Sequence, residues 1–453
     1  MNDRILAPLA TPGIYGGLLS AQGLDLLRFE SIQTQAYTWR TDAGTAVTFV
    51  EARGLPIVDV ELRFKAGTAQ ADQPSLAALT LYMLDEGSQH LDAVEHARRI
   101  EQLGAIVEKE IRLEYTTLSL RSLSNSALLE PAIELFTSLV AQPAFPAPAL
   151  DKVKRQLALH DTYQARQPVL RARNEAYRHL FSGHPYSSLR GGTAQGLAAV
   201  TPEHLKAFHR RAYCATNLDM VIVGDLSRLE AQDIAQRLSQ ALPQDWAAAE
   251  LPATPDTRGA TIDIEQAGAS TTVLMALPMN VPANEPESLA LVLACEVLGV
   301  GTDSRLMKAL RQRRGLTYDI RSHWVPMRAG GLFAIEWEIA PQHVNGSQNL
   351  VDTVLRDFIQ NGPTEAELQL ARQRLAGQLL RDVAQNKRLA ARLMKAAQQR
   401  LPADHLNLYV ERMAALTPGA IREVMQRRFD LTRKVLVSVG PAADQQPLPA
   451  SDQ

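Results

Sequence analysis

The chain has 453 residues, which is too long for one compact core and predicts two or more domains. With 46% hydrophobic and 21% charged residues, it has the composition of an ordinary globular protein. Its formal net charge is −2, with acidic and basic residues interspersed, which argues against a nucleic-acid partner. Cys214 and Cys295 lie far apart in the sequence, which argues against a disulfide framework or a thiolate zinc site, and whether they pair depends on the fold.

The N-terminal stretch MNDRILAPLATPGIYGG interrupts its apolar residues with Pro and Gly. It has no continuous apolar segment, so neither a signal peptide nor a membrane span is predicted. A chain from which a signal had been removed would look the same, and both a periplasmic and a cytoplasmic location stay open.

Similar pairs of elements are predicted in the two halves of the chain. A strand at 58–67, VDVELRFKAG, precedes an apolar helix at 75–87, SLAALTLYMLDEG. A second strand at 270–279, STTVLMALPM, precedes the apolar helix 288–301, SLALVLACEVLGVG.

The helix predicted at 90–105 contains LDAVEH, which ends in Glu-His as the zinc-binding signature H-x-x-E-H does. Asp92 stands where that signature has its first His. The predicted buried stripe has helical spacing and consists of Leu91, Val94, Ala97, Ile100 and Leu103. The predicted exposed face carries Asp92, Glu95, His96 and Arg99. We interpret the segment as a solvated helix; the alternative is an irregular metal site of Asp92, His96 and His160.

The strongest organisational signal is an internal repeat. AAVTPEHLKAFHRRAYCATNLDMVIVG (198–224) aligns without a gap with AALTPGAIREVMQRRFDLTRKVLVSVG (414–440). In both copies Thr-Pro predicts a helix start, and an apolar run ending in Gly predicts a buried strand. The chain is therefore predicted to contain two copies of one α+β unit, without the regular βαβ alternation of a doubly wound sheet.

This repeat predicts a division of the chain into two lobes and three connecting or terminal segments. The predicted segments are an N-terminal extension (1–34), a first lobe (35–240), a Pro- and Ala-rich linker (241–260), a second lobe (261–440) and a C-terminal tail (441–453).

Duplicated α+β lobes joined by a linker resemble the pitrilysin/insulinase family of zinc peptidases. The resemblance is carried by TAVTFVEARGLPIVDVELRFKAGTA (45–69), by HPYSSLRGGT (184–193) and above all by DSRLMKALRQRRGLTYDIRS (303–322), which matches the family's second-lobe pattern S-R-L…L-R…G-L-x-Y. It implies an α+β fold of two homologous lobes, each a mostly antiparallel sheet covered by helices, joined by a linker in a clamshell arrangement.

In catalytic members of that family, the zinc signature lies on the first lobe's apolar helix. Here the resemblance puts Ala78 and Tyr82 at the two His positions and Leu81 at the position of the catalytic Glu. The family's third ligand, a Glu, corresponds to the region 155–164, which contains no Glu and offers only His160 and Asp161 as donors. Ala and Leu can neither bind zinc nor accept a proton from its water, so no metal site is predicted in this chain.

The second lobe keeps another part of the family pattern. The resemblance assigns Arg311 and Tyr318, seven residues apart, to the pair that contacts the substrate backbone across a closed chamber. Asp303 or Ser304 is predicted to cap the helix that carries Arg311, Gly315 to end it, and Tyr318 to begin a strand. The resemblance also implies substrate binding at an edge strand of the first lobe, for which the matching run is LEYTTLSLRSL (113–123).

Together these features predict the non-catalytic subunit of a bacterial-type heterodimeric zinc metallopeptidase. Its partner would be a zinc-motif homologue, in a heterodimer or larger assembly, that supplies the zinc. Arg311 and Tyr318 would bind a peptide or unfolded polypeptide and stabilise the oxyanion in trans. The alternatives are a structural scaffold that has lost all chemistry and a homodimeric peptidase with the irregular metal site.

Overall fold

The structure is a computed structural model that describes residues 34–189, 192–244, 248–402 and 404–451. The N-terminal extension expected at 1–34 lies outside these ranges except for Thr34, as do residues 190–191 of the HPYSSLRGGT motif and residues 245–247 of the expected linker. No helix within the described ranges is both long and apolar enough to cross a membrane.

Two sheets, one in each half of the chain, organise the fold. The first contains β1 (Ala36–Arg40), β2 (Ala46–Glu51), β3 (Ile57–Phe64), β4 (Ile106–Ile111), β5 (Thr116–Leu123) and β6 (Leu218–Gly224). The second contains β7 (Ala260–Glu265), β8 (Thr271–Pro278), β9 (Ile320–Met327), β10 (Gly330–Ile339) and β11 (Val435–Gly440).

Helices connect and cover these strands. In the first half they are α1 (Leu76–Met83), α2 (Ala93–Gln102), α3 (Ser126–Ala141), α4 (Ala147–Ala165), α5 (Pro168–Leu180), α6 (Ala194–Ala199), α7 (Pro202–Ala212) and α8 (Arg228–Gln240). In the second half they are α9 (Ser288–Gly299), α10 (Arg305–Met307), α11 (Val344–Asn361), α12 (Glu365–Val383), α13 (Asn386–Gln398), α14 (His405–Ala414) and α15 (Pro418–Arg428).

The two sheets have the same topology. The strand orders are β1-β2-β6-β3-β5-β4 and β7-β11-β8-β10-β9, which coincide once β1 is set aside. In each sheet one pair, β2 with β6 or β7 with β11, is parallel, and the other neighbours are antiparallel. The prediction of two homologous, mostly antiparallel α+β lobes is confirmed.

The repeated segments form the same local structure in both halves. Thr201 and Thr417 cap α7 and α15, each accepting a backbone N–H from the third helical residue, and a Pro follows each Thr as predicted. The strands β6 and β11 that follow end in Gly224 and Gly440. A Cβ at either glycine would collide with the neighbouring strand, at Ile57–Val58 and at Thr271 respectively, which explains why the repeat keeps a glycine there.

One helix from each half packs against the sheet of the other half. Helix α5 packs across β8 and β11, so that its residues Ala176 and Leu180 share a core with strands of the second sheet. Helix α13, also 13 residues long, packs across β3 and β6 in the corresponding manner, and Leu393 belongs to the same core as Val221. The two halves are therefore interlocked as well as connected through the chain.

Polar contacts also link the exchanged helices to the sheets of the other half. Lys387 at the start of α13 pairs with Glu108 of β4 at 2.6 Å, and Arg63 of β3 donates to Gln398 at the end of α13 at 3.0 Å. Arg173 of α5 pairs with Glu336 of β10 at 2.8 Å. Exposed pairs of this kind add little stability individually, so the apolar cores carry the association and the pairs set its register.

A buried hydrogen-bond network also joins the halves. Glu114, between β4 and β5, accepts a hydrogen bond from the Tyr186 hydroxyl and one at 2.8 Å from the backbone N–H of Arg328, in the β9–β10 turn. Ala329 N–H donates to the Tyr186 oxygen at 3.1 Å. Burial raises the pKa of Tyr186, and the Glu114 carboxylate raises it further, so the phenol stays protonated and donates.

Two details differ from the sequence expectations, and the open question about the cysteines is answered. The stretch 45–69, interpreted from the resemblance as one opening strand, forms two strands, β2 and β3, and β6 lies between them. The run 113–123 is not an edge strand, because β5 pairs with β3 on one side and with β4 on the other; the edge strands of the first sheet are β1 and β4. Cys214 and Cys295 are both buried, and neither forms a disulfide.

The exchanged helices predict that the two halves unfold together. Leu393→Ala should lower the free energy of unfolding by about 2–5 kcal/mol, because it leaves a cavity between α13 and the first sheet, where Leu393 is 4% exposed. Urea unfolding followed by far-ultraviolet circular dichroism and by tryptophan fluorescence should show one shifted transition with both probes.

Leu229→Ala is the matched control, since Leu229 is 77% exposed on α8 and its loss should change stability by no more than about 0.5 kcal/mol. Two separate transitions, of which Leu393→Ala shifts only one, would contradict an interlocked fold.

Candidate functional site

A concave cavity of about 1570 Å³ lies between the two halves, and Ala78 and Tyr82, two of the residues singled out by the zinc-signature comparison, line it. From the first half, α1, the β4–β5 connection, α4 and α5 contribute to its walls. From the second half, the end of α9, the edge strand β9 and α13 contribute. The volume exceeds that of a typical small-molecule pocket and suits a polypeptide segment.

Helix α1 presents the two His-equivalent positions to this cavity and hides the Glu-equivalent position. Ala78 and Tyr82 both line the cavity and are half-buried, whereas Leu81 is fully buried in the first core. Burial raises the pKa of Tyr82, and the nearby charges of Asp161 and Glu110 raise it further, so the phenol stays neutral. The Lys109 ammonium, which pairs with Asp85, lies 5.2 Å from the centroid of the Tyr82 ring, close to the slot, that is, the zinc-signature positions Ala78, Leu81 and Tyr82.

Helix α4 faces α1 and carries the only donors expected opposite the slot. His160 and Asp161 line the same cavity as Ala78 and Tyr82, and His160 contacts Gln164 one turn further on. Among the residues that the structure describes, no three His, Cys, Asp or Glu side chains are grouped as a metal site requires. The residues present do not fit a resident zinc ion, which takes four ligands in structural sites and three plus a water in catalytic ones.

The LDAVEH segment forms a helix, but its buried stripe differs from the predicted one. His96 is 5% exposed, and its Nε2 lies 3.0 Å from the Leu135 carbonyl oxygen, whereas Val94, predicted to be buried, is 79% exposed. Asp92 is the N-cap of α2 and accepts the Glu95 N–H at 2.9 Å. Both residues are therefore structural, which contradicts the irregular metal site of Asp92, His96 and His160.

The structure places Arg311 next to Tyr318, although through the backbone rather than the phenol. Arg311 lies in a π-helical turn, Lys308–Gln312, that continues α10, and its Nη1 donates to the Tyr318 carbonyl at 3.0 Å. Gly315, with φ +61°, ends this turn as predicted. Tyr318 precedes β9 instead of beginning it, and its side chain is 89% exposed.

The sequence predicted the N-cap residue of this helix correctly, but not the hydrogen bond that its side chain makes. Ser304 is the N-cap of α10, but its hydroxyl donates back to the Gly301 carbonyl at 2.8 Å instead of accepting a helical N–H. Neither Arg311 nor Tyr318 lines the cavity; their neighbours Asp319 and Arg321 do, so the pair lies at its rim.

The cavity is more basic than the chain as a whole. Seven Lys and Arg residues line it against four Asp and Glu, although the chain has a net charge of −2. Four of the seven are paired with neighbouring carboxylates: Arg63 with Glu61, Arg112 with Glu110, Arg173 with Glu336, and Arg321 with Asp319. Within the described part of the chain, the remaining three form no such pair: Arg328, Lys395 and Arg400.

A second cavity of about 700 Å³ adjoins the first between α13 and the strands β1 and β2. Six residues line both cavities and mark the junction: Arg63, Glu114, Tyr115, Gln398, and the unpaired Arg328 and Arg400. Sequence reasoning missed the two unpaired arginines, because Arg328 and Arg400 lie 72 positions apart and match no ligand spacing.

Comparison with known proteins gives a consistent family. A family model described as the peptidase M16 inactive domain matches residues 199–375. A crystal structure of a peptidase M16 inactive domain from Pseudomonas fluorescens is 35% identical in sequence and superposes with a TM-score of 0.88, covering 91% of this chain and 100% of that one. A protease from Helicobacter pylori, 16% identical, shares the fold with a TM-score of 0.84 over 90% of this chain and 100% of that chain.

The names of the sequence relatives differ in the activity that they state. A non-peptidase homologue, YmxG, from Helicobacter pylori is 27% identical over 77% of this chain and 81% of its own length. An uncharacterised zinc protease from Streptomyces coelicolor is 22% identical over 83% of both chains. The geometry of the slot in this chain is therefore more informative than the names of its relatives.

Two substitutions in the slot test its position opposite α4. Ala78→His with Tyr82→His would put two imidazoles one helical turn apart, facing His160 and Asp161, and should raise the affinity for Zn²⁺ by at least about tenfold over either single variant. Competition with a chromogenic chelator measures the affinity. The unchanged protein should purify with far less than one zinc per chain, and stoichiometric zinc in it would contradict the account of the slot.

Proposed function

This chain belongs to the M16 (pitrilysin/insulinase) family of zinc peptidases and their inactive homologues, and from that membership we propose that it is the non-catalytic subunit of a two-subunit zinc metallopeptidase. The observation that carries the proposal is the cavity wall formed by α1. By the sequence resemblance α1 corresponds to the helix with the family's zinc signature, and it presents a methyl group at Ala78 and a neutral phenol at Tyr82. Hydrolysis would therefore depend on a second subunit that has the complete signature.

Exposed apolar side chains at the cavity rim support a partner at this face. Leu159 and Tyr163 lie one turn apart on α4 and are 72% and 65% exposed, and Tyr318 is 89% exposed. Large apolar side chains with this exposure on elements bordering one concavity are typical of surfaces that another protein covers.

Arg311 and Tyr318 are the residues with which this chain would act on the substrate. The bond from Arg311 Nη1 to the Tyr318 carbonyl leaves the other N–H groups of the guanidinium available, and it fixes the direction of the side chain. A guanidinium and a phenol both donate to a carbonyl oxygen on which negative charge develops. The partner would supply the zinc-activated water and the general base, and this chain would hold the scissile carbonyl in place.

A purely structural scaffold is the competing function, and substitutions of the pair discriminate between the two. In the complex assembled with a zinc-motif homologue, Arg311→Ala and Tyr318→Phe should each lower kcat by about 10²–10³, the usual effect of removing one donor to an oxyanion. Peptide-cleavage kinetics and size-exclusion chromatography of each complex measure turnover and assembly separately.

Arg313→Ala provides the matched control, because Arg313 is an exposed arginine on the same turn and should leave kcat unchanged. Unaltered turnover in both test variants would favour the scaffold and remove the catalytic role of the pair.

A further inference from the structure

We propose that the larger cavity contains a carboxylate-binding subsite beside its junction with the second cavity, in which Arg328, Lys395 and Arg400 take an acidic side chain of a bound peptide. This proposal deepens the proposed function by naming the class of peptide, and it rests on that function only in treating the peptide as a substrate. The binding itself concerns residues of this chain alone.

One face of α13 is turned toward the site while the opposite face is buried. Ala391, Lys395, Gln398 and Gln399 follow one another at helical spacing and all line the larger cavity. Leu389 and Leu393, on the other side, pack in the core that includes the first sheet. The direction of Lys395 is therefore set by the helix that interlocks the two halves.

The electrostatic surroundings of Lys395 lack a compensating acid. Desolvation inside the cavity lowers the pKa of Lys395, and the neighbouring charges of Arg392 and Arg63 lower it further. Two of the four carboxylates that line the larger cavity are engaged elsewhere: Asp319 pairs with Arg321, and Glu114 accepts bonds from Tyr186 and the Arg328 backbone. A bound carboxylate would relieve the repulsion among the cations.

The backbone at Arg400 gives an independent indication. Arg400 has φ +53°, a left-handed conformation, and it closes the C-terminus of α13 through bonds from its own N–H to Ala397 O at 3.0 Å and from Leu401 N–H to Ala396 O at 2.9 Å. This is the C′ position of a Schellman motif, where glycine is the favoured residue. An arginine here keeps a strained conformation while its side chain lines both cavities.

The cavity walls favour a peptide over a small anion. Beside the cations, the larger cavity is lined by apolar side chains that include Leu113, Leu170, Trp324 and Met327. Such mixed walls suit an extended polypeptide whose acidic groups meet the cations and whose other side chains meet the apolar surface. A basic peptide would face the unpaired cations without compensation.

Isothermal titration calorimetry of the full chain tests this subsite with three probes. The first is a short peptide of alternating Glu and Ala blocked at both termini, the second has Gln in place of each Glu, and the third is free glutamate. The acidic peptide should bind at least about tenfold more tightly than either of the others, and its binding should weaken with added salt. Equal binding of the Gln peptide, or of free glutamate, would overturn the proposal.

Two variants locate the binding. Lys395→Gln and Arg400→Gly should each weaken binding of the acidic peptide about tenfold, through loss of a charge-assisted hydrogen bond. Arg400→Gly should leave the unfolding temperature unchanged or higher, because glycine suits the left-handed position. Lys206→Gln on α7, an exposed lysine outside both cavities, should leave binding unchanged; an equal loss in this control would show that the attraction is nonspecific and overturn the proposal.

Failure of this proposal is distinguishable from failure of the proposed function. A two-subunit complex that is active but cleaves the Gln peptide as fast as the Glu peptide would refute the subsite and leave the function standing. A chain that binds the acidic peptide but never confers activity on a zinc-motif homologue would refute the function and leave the subsite standing.

Discussion

The exchange of helices α5 and α13 between the two halves is the constraint on which the rest of the structure depends. Strands β6 and β11 are buried on both faces. Val221 and Val223 of β6 belong to one core and Met220 and Ile222 to another, and in β11 Leu436 and Val437 likewise belong to different cores. A sheet of this kind must be covered on both sides. In each half, helices of that half cover one face of the sheet, and a helix of the other half covers the second face. Neither sheet would therefore be fully buried without the other half.

The same exchange shapes the candidate site. Because one face of α13 covers the first sheet, its other face lines the cavity. Helix α5 covers the second sheet in the same way, and its residues Arg173 and Ala176 line the cavity. The cavity wall is thus built from elements whose positions are fixed by the cores behind them. A rigid wall of this kind suits a subunit whose role is to hold a substrate for chemistry performed elsewhere.

Local rules predicted the elements of this fold well, and long-range packing accounts for the errors. The Thr-Pro starts of α7 and α15 and the strands β3 and β8 follow from capping and periodicity, which depend on neighbouring residues. The position of β6 between β2 and β3 depends on pairing across more than 150 residues, which no local pattern encodes. The stripe of α2 was predicted wrongly because His96 is buried through its contact with the Leu135 carbonyl, while Val94 is left exposed.

The site was predictable only where the family resemblance supplied the positions. Ala78 and Tyr82 were identified from a motif slot, and both line the cavity. The pair Arg311 and Tyr318 was also assigned by the resemblance, and the observed contact runs through a backbone carbonyl that the motif does not reveal. The group of Arg328, Lys395 and Arg400 had no sequence signal, because its members come from the β9–β10 turn and from the C-terminal end of α13, which are far apart in the sequence.

The central claim is that this chain contributes to peptide hydrolysis only together with a zinc-bearing homologue. Titrating the purified chain into a fixed amount of that homologue, in the presence of Zn²⁺, measures this directly through the rate of peptide cleavage. The account predicts no cleavage by this chain alone and a rate that rises and saturates when the two chains are equimolar. Cleavage by the chain alone that a chelator abolishes would contradict it.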